Sequence, residues 1–242
     1  MYVAKTNSTN SALAALLKEK ELPDGFTLYT YYQTAGRGQV GNKWESEKGQ
    51  NLLMSTLIRP KDLPISEHFI LSEIVALALK DVLDRYTDDI RIKWPNDIYW
   101  KDKKISGTLI ENSFSGSTIR SCIAGIGLNL NQTVFVSDAP NPISLKQITG
   151  QEYDKRKVLE EIMERLAYYK QQLMDGHEQD IRNLYAQHLY RKEGWHEWVA
   201  DGKSFQARIK EVKADGQLVL EMTDGQTRGF YFKEVVHGGL KN

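Results

Sequence analysis

Gly36-Arg37-Gly38-Gln39-Val40-Gly41 surrounds a fixed cation with residues that lack a side chain, so unhindered backbone N–H groups and one guanidinium can approach an anion. The G-x-G-x-x-G spacing alone is a weak signal. A dinucleotide site needs these glycines to open a helix in a βαβ unit, yet Asn42 to Gln50 is polar and leads into a strand-like run. A kinase glycine loop lies between strands, but the chain has neither His-Arg-Asp nor Asp-Phe-Gly. An anion cradle and a flexible turn both remain open. Trp44, set among Asn42, Lys43 and Glu45, is either a core anchor or a surface on which a base stacks. Lys93-Trp94-Pro95-Asn96-Asp97 puts a cation, an amide and a carboxylate at a strand end where proline stops the ladder. Lys104 follows, with Gly107 three residues on, in what is either a solvated hairpin or a site. Gly125-Ile126-Gly127-Leu128-Asn129 ends another strand as a bulge or as a place where a ligand touches backbone.

These residues need a scaffold to bring them together. Helical spacing of Leu13, Leu16 and Leu17 predicts a first helix starting near Ser8, with Ser or Asn as its cap. Phe26 to Gln33 and Asn51 to Arg59 read as strands on either side of a glycine-rich loop, Thr34 to Gln50. Such a loop is long enough to be a functional segment and is expected to be mobile without ligand. Ser66 to Tyr86 is an amphipathic helix, and Ile90 to Trp94, Asp97 to Trp100, Lys104 to Phe114 and Thr118 to Leu130 are strands of a mixed or antiparallel sheet. Asp154 to Met174 and His177 to Tyr190 supply covering helices. From Trp195 onward short alternating segments separated by Asp201-Gly202, Asp215-Gly216 and Asp224-Gly225 predict a small β-barrel.

Composition narrows the function classes. Lys plus Arg and Asp plus Glu are 32 each, which removes a global basic field for a nucleic-acid backbone and leaves only local charge to act. The single Cys122 excludes an internal disulfide framework or a multi-cysteine metal site and points to a reducing, cytoplasmic setting; the five histidines have no ligand spacing. Ile70 to Leu83 is too short and too polar to span a bilayer, so no membrane is expected.

Ser8-Thr9-Asn10, Gln33 to Trp44, Lys93 to Asp97, Lys104 to Gly107 and Gly125 to Asn129 together resemble the biotin protein ligases, from about Asn7 nearly to the end. The resemblance implies an α+β fold: a class II synthetase-like, biotin/lipoate-ligase-like catalytic domain over 1–193, with a mixed sheet covered by helices, then a small SH3-like β-barrel over 194–242. It implies formation of biotinyl-5′-adenylate from biotin and ATP, with Mg²⁺ carried by the phosphates, and transfer of biotin to a lysine of a biotin carboxyl-carrier domain.

By resemblance, Ser8, Thr9, Asn10 and Gln33, with Gly36, Arg37 and Gly38, would bind biotin, and Gly107, Leu109 and Gly125 would line its pocket. Lys104 would meet the biotin carboxylate and the α-phosphate; Arg37 and Lys93 would support the phosphates, and Asp97 would take or orient the proton of the incoming lysine. Gly38, Trp44, Asn96 and Asn129 would complete the nucleotide site. Gln39 and Asn42 stand where the family often has arginine, which implies a looser hold on the adenylate. The sequence shows no helix-turn-helix segment before Ser8, so no DNA is expected as a partner, and a homodimer is compatible with the resemblance. Two other readings stand beside it: a lipoate or octanoate ligase or transferase, whose Arg-Arg and Ser-Gly-Gly-Gly pattern is missing, and a non-enzymatic nucleic-acid module, which the zero net charge opposes.

Overall fold

The computed structural model describes residues 1–39, 41–137 and 141–239; Val40 of the glycine loop and the last three residues of the C-terminal segment lie outside the described residues. Helix α1 spans Thr9–Glu19, and Ser8 occupies its N-cap position in extended backbone. Ser8 makes no side-chain cap, contrary to expectation. Instead Asn7 Oδ1 accepts from Ser8 N at 2.6 Å, and Gln33 Oε1 accepts from Thr9 N at 2.7 Å. The first helical N–H is thus committed to a side chain far along the chain.

Strands β1 (Thr27–Thr30), β2 (Leu52–Ile58), β3 (Ile90–Lys93), β4 (Asp97–Trp100), β5 (Lys103–Ser115) and β6 (Thr118–Leu128) form one sheet in the order β1-β2-β6-β5-β4-β3. Every neighbouring pair is antiparallel, which corrects the mixed sheet; among the described residues parallel contacts occur only as isolated bridges such as Thr6 with Gln33. The physical reason is local connection: β3 to β6 follow one another through short turns, which antiparallel pairing permits.

Side-chain alternation divides the faces of β2 and β6. Leu52, Met54, Ala124, Ile126 and Leu128 join the large core under helix α2 (Ile70–Leu83), whereas Leu57 and Ile123 pack with Leu13 of α1. Strand β2 is buried along its whole length because both faces are covered, so its sequence carries no polar alternation. Helix α2 is buried nearly all round, with α4 (Lys155–Met174) and α5 (Glu178–Gln187) packed against it. A short helix α3 (Leu145–Thr149) was not anticipated; a Ser144–Gln147 capping box starts it and Gly150 in a left-handed conformation ends it.

The C-terminal strands β7 (His196–Ala200), β8 (Lys203–Val212), β9 (Leu218–Met222), β10 (Thr227–Phe230) and β11 (Val236–His237) form a five-stranded antiparallel sheet in the order β10-β9-β8-β7-β11. Among the described residues β10 and β11 do not pair with each other, so the small SH3-like unit is an open five-stranded sheet. Asp201 and Gly202 both have positive φ, as a tight hairpin between β7 and β8 requires. Trp198, Leu218 and Phe230 belong to the same buried cluster as Leu77 and Leu128, and Trp94 Nε1 donates to Gly216 O at 3.0 Å. The second sheet is therefore docked on the first through the residue that follows Lys93. No helix among the described residues is long and apolar enough to cross a membrane.

Candidate functional site

On the α1 face of the sheet, Gly107 of β5 pairs with Gly127 of β6, and Gly125 of β6 lies between Ser55 of β2 and Leu109 of β5. Gly125 and Gly127, two residues apart, point to one face, and their missing side chains leave a floor of bare backbone. What rests on it is specific. A Cβ on Gly125 would fall 2.0 Å from Asn10 Oδ1, and one on Gly127 would fall 2.3 Å from Trp44 Cε2. A Cβ on Gly107 would fall 2.8 Å from Trp44 Cζ3. The glycines admit an amide and an indole to within van der Waals contact of the sheet.

The segment before Trp44 is folded rather than extended. Gly38 N donates to Asn42 O and Trp44 N to Gly36 O, both at 3.0 Å, around an antiparallel bridge between Arg37 and Lys43. This small hairpin, with Trp44 at its inner end, roofs a cavity that opens to solvent. Substituting Gly127 with Ala should push the indole off the floor and lift the hairpin. Trypsin cleavage after Lys43 is then expected to become several-fold faster while the sheet stays folded; an unchanged cleavage pattern would mean that Trp44 does not anchor the hairpin.

Ser8, Thr9, Asn10, Gln33, Arg37, Gly38, Trp44, Asn96, Asp97, Lys104, Gly107, Leu109 and Gly125 all line this cavity. Lys104 Nζ donates to Asp97 Oδ2 at 2.6 Å and lies 5.8 Å from the centre of the Trp44 ring, with both members of the ion pair one-quarter exposed. Gln39 and Asn42 also line the cavity, and Gln39 Nε2 donates weakly to Asn96 Oδ1 at 3.5 Å. Trp44 Nε1 is buried without a protein partner, so the roof carries an unanswered donor.

Three expected residues are placed elsewhere. Gly36 sits beside the cavity, where its carbonyl accepts from Trp44 N. Lys93 points at the Tyr99 ring, 5.1 Å from its centre, toward the C-terminal sheet. Burial pushes its ammonium below the ordinary lysine range, opposed by Asp97 and reinforced by Lys104 and Arg191. Across that interface burial, with Lys93 and Arg191 nearby, pushes the His237 imidazole down to about 3. Asn129 is buried outside the cavity lining, and its Nδ2 donates to Ile143 O at 3.2 Å.

The site also contains residues that sequence reasoning passed over. Ser55, fully buried, donates to Asn10 Oδ1 at 2.5 Å and contacts Thr9 Oγ1 at 2.7 Å. Glu111 accepts from Arg37 at 2.7 Å and from Asn10 Nδ2 at 2.8 Å. Phe232, in the turn between β10 and β11, lines the cavity as well. The one available signal was the Ser55-Thr56 pair interrupting an apolar strand. Among the described residues no group of three or more His, Cys, Asp or Glu is placed to hold a metal ion.

Residues 2–129 match the family described as Biotin/lipoate A/B protein ligase. The bifunctional ligase/repressor BirA of Bacillus subtilis is 33% identical over 64% of this chain and 49% of its own length, so the chain spans about half of that relative. The biotin–[acetyl-CoA-carboxylase] ligase of Paracoccus denitrificans is 30% identical over 76% of this chain and 78% of that one. Among solved structures, the biotin protein ligase of Aquifex aeolicus in complex with biotin and ATP superimposes with a TM-score of 0.79 at 24% identity, covering 98% of this chain and 97% of that one.

Proposed function

The chain belongs to the Biotin/lipoate A/B protein ligase family, and from that premise we propose that it is an ATP-dependent biotin protein ligase. The observation that carries this reading is the Lys104–Asp97 pair, held at 2.6 Å on the wall of a cavity with a backbone floor and an indole roof. Two anions, a carboxylate and a triphosphate, must be brought together there, and a fixed ammonium between them lowers the barrier that their repulsion sets.

In the first step an oxygen of the biotin carboxylate attacks the α-phosphorus of ATP. The bond from that phosphorus to the bridging oxygen breaks, and pyrophosphate leaves with the electron pair. Lys104 faces the charge that develops on the α-phosphate. Mg²⁺ enters with the nucleotide as part of the substrate. In the second step Asp97 takes a proton from the ammonium of an acceptor lysine, the neutral amine attacks the acyl carbonyl, AMP leaves with the electron pair of the broken carbonyl–oxygen bond, and the amine's second proton passes to solvent. The acceptor is a biotin carboxyl-carrier domain, in keeping with the acceptor named for the Paracoccus relative.

Ser8, Thr9, Asn10 and Gln33 present hydrogen-bonding groups to the ureido ring, and Gly107, Leu109 and Gly125 give the rest of biotin a close-fitting floor. Trp44, Gly38 and Asn96 line the nucleotide end. Asn129 acts from outside the cavity lining by fixing the Ile143 carbonyl, and Lys93 contributes field from the domain interface rather than contact. The test is exchange of labelled pyrophosphate into ATP. Exchange is expected with biotin and not with lipoate; lipoate-dependent exchange would transfer the reading to the lipoate branch, and exchange with neither would end it.

A further inference from the structure

Resting on the biotin-ligase reading, we propose that Glu111 is a positioning residue for biotin: one carboxylate that fixes both the rim cation Arg37 and the direction of the Asn10 amide. Glu111 lies on β5, two residues beyond Leu109, and does not line the cavity. Its two oxygens are divided between two partners. Oε1 accepts from the Arg37 guanidinium at 2.7 Å, and Oε2 accepts from Asn10 Nδ2 at 2.8 Å.

Each bond constrains a cavity residue. Arg37, which also donates to Ser11 Oγ at 3.2 Å, is drawn to the outer rim, so the hairpin is tied to α1 and β5 at that end and by Trp44 at the other. The effect on Asn10 is finer. An ionised carboxylate accepts only, as does the Leu109 carbonyl that Nδ2 also reaches at 3.3 Å, so both select the donor end of the amide, and Oδ1 is left to receive Ser55 Oγ at 2.5 Å. Asn10 is buried and seated on Gly125, so a reversed amide would set Nδ2 against the Ser55 donor and Oδ1 against the carboxylate. Glu111, the shorter and charge-assisted of the two acceptors, thereby holds the Asn10 amide in the direction the cavity offers to biotin, although it does not touch biotin.

The requirement is two acceptors, which distinguishes the carboxylate from its amide isostere. In Glu111→Gln one of the two oxygens becomes a donor nitrogen, so with the remaining oxygen on Arg37 or on Asn10 the new NH2 faces the other donor. The Glu111 and Arg37 side chains are 36% and 46% exposed, so their ion pair contributes little to global stability and the variant folds. We expect KM for biotin in the exchange assay to rise about 10-fold, with KM for ATP within about 2-fold and the melting midpoint nearly unchanged.

The comparison separates the outcomes. Wild-type exchange with an unchanged biotin KM in Glu111→Gln would overturn the positioning role and leave the ligase reading intact. A parallel rise of both KM values with a lowered melting midpoint would show a structural role and also overturn it. Wild-type protein without biotin-dependent exchange would overturn both.

Discussion

Lys104→Ala is expected to lower biotin-dependent pyrophosphate exchange by about 10²- to 10³-fold, the loss typical of removing one group that stabilises transition-state charge. The protein should remain folded. Lys104 and Asp97 are each one-quarter exposed, and a pair in contact with water contributes at most about 1 kcal/mol, so thermal unfolding should shift only slightly. Lys104→Arg is not expected to rescue the activity. The Lys104 Cε and Nζ atoms lie 3.1 and 3.2 Å from the position a Cβ would take on Gly107, with Trp44 alongside, and a planar guanidinium does not fit that slot as a compact ammonium does. Exchange within about 3-fold of wild type in Lys104→Ala would remove the charge-stabilising role, since the barrier effect would then be under about 1 kcal/mol.

The parts of this site that were legible in the sequence are those whose signal is local. Gly125 and Gly127 at alternate positions of a strand, the proline that ends the Lys93 ladder, and the paired Asp201-Gly202 turn each carry their geometry in adjacent residues. Helix and strand positions followed from periodicity, with ends shifted by a few residues: Ser66 to Tyr86 became Ile70–Leu83 after a short 3₁₀ turn at Ile65–Glu67. The missed residues depend on long-range pairing. Ser55 gains its meaning from Asn10, Glu111 from Arg37, and Phe232 from a sheet that docks through Trp94. No local pattern announces such contacts.

The same reasoning explains two displaced expectations. Lys93 occupies a motif whose neighbours Asn96 and Asp97 reach the cavity, but strand alternation and the docking of the C-terminal sheet turn its ammonium toward Tyr99. Likewise, a sheet with short turns between β3 and β6 resolves to antiparallel pairing throughout, and among the described residues β10 and β11 are the edges of the C-terminal sheet.

Asp97→Asn is expected to divide the two half-reactions. The asparagine oxygen can still accept from Lys104 Nζ, now at 2.6 Å from the carboxylate, so the ammonium keeps a partner and adenylate formation should fall only several-fold. Transfer should fall by about 10²-fold or more, the usual contribution of a positioned base. The acceptor amine has an ordinary pKa of about 10.4 and is almost wholly protonated at neutral pH, whereas only its neutral form attacks. A carboxylate has further lone pairs beyond the one that Lys104 uses, and these can receive the ammonium proton; an amide cannot.

The sign of the pH dependence follows. Raising the pH supplies neutral amine from solution at about 10-fold per pH unit below that pKa, which replaces what Asp97 does. The deficit of Asp97→Asn relative to wild type should therefore shrink steadily between neutral and alkaline pH in the transfer step, while its smaller deficit in exchange stays level. Single-turnover transfer from preformed adenylate to a carrier domain, followed across that range beside the exchange assay, measures both. Equal losses in the two half-reactions with parallel pH profiles would show that Asp97 serves only to hold Lys104, and the base for the second step would then have to be sought in the acceptor domain itself.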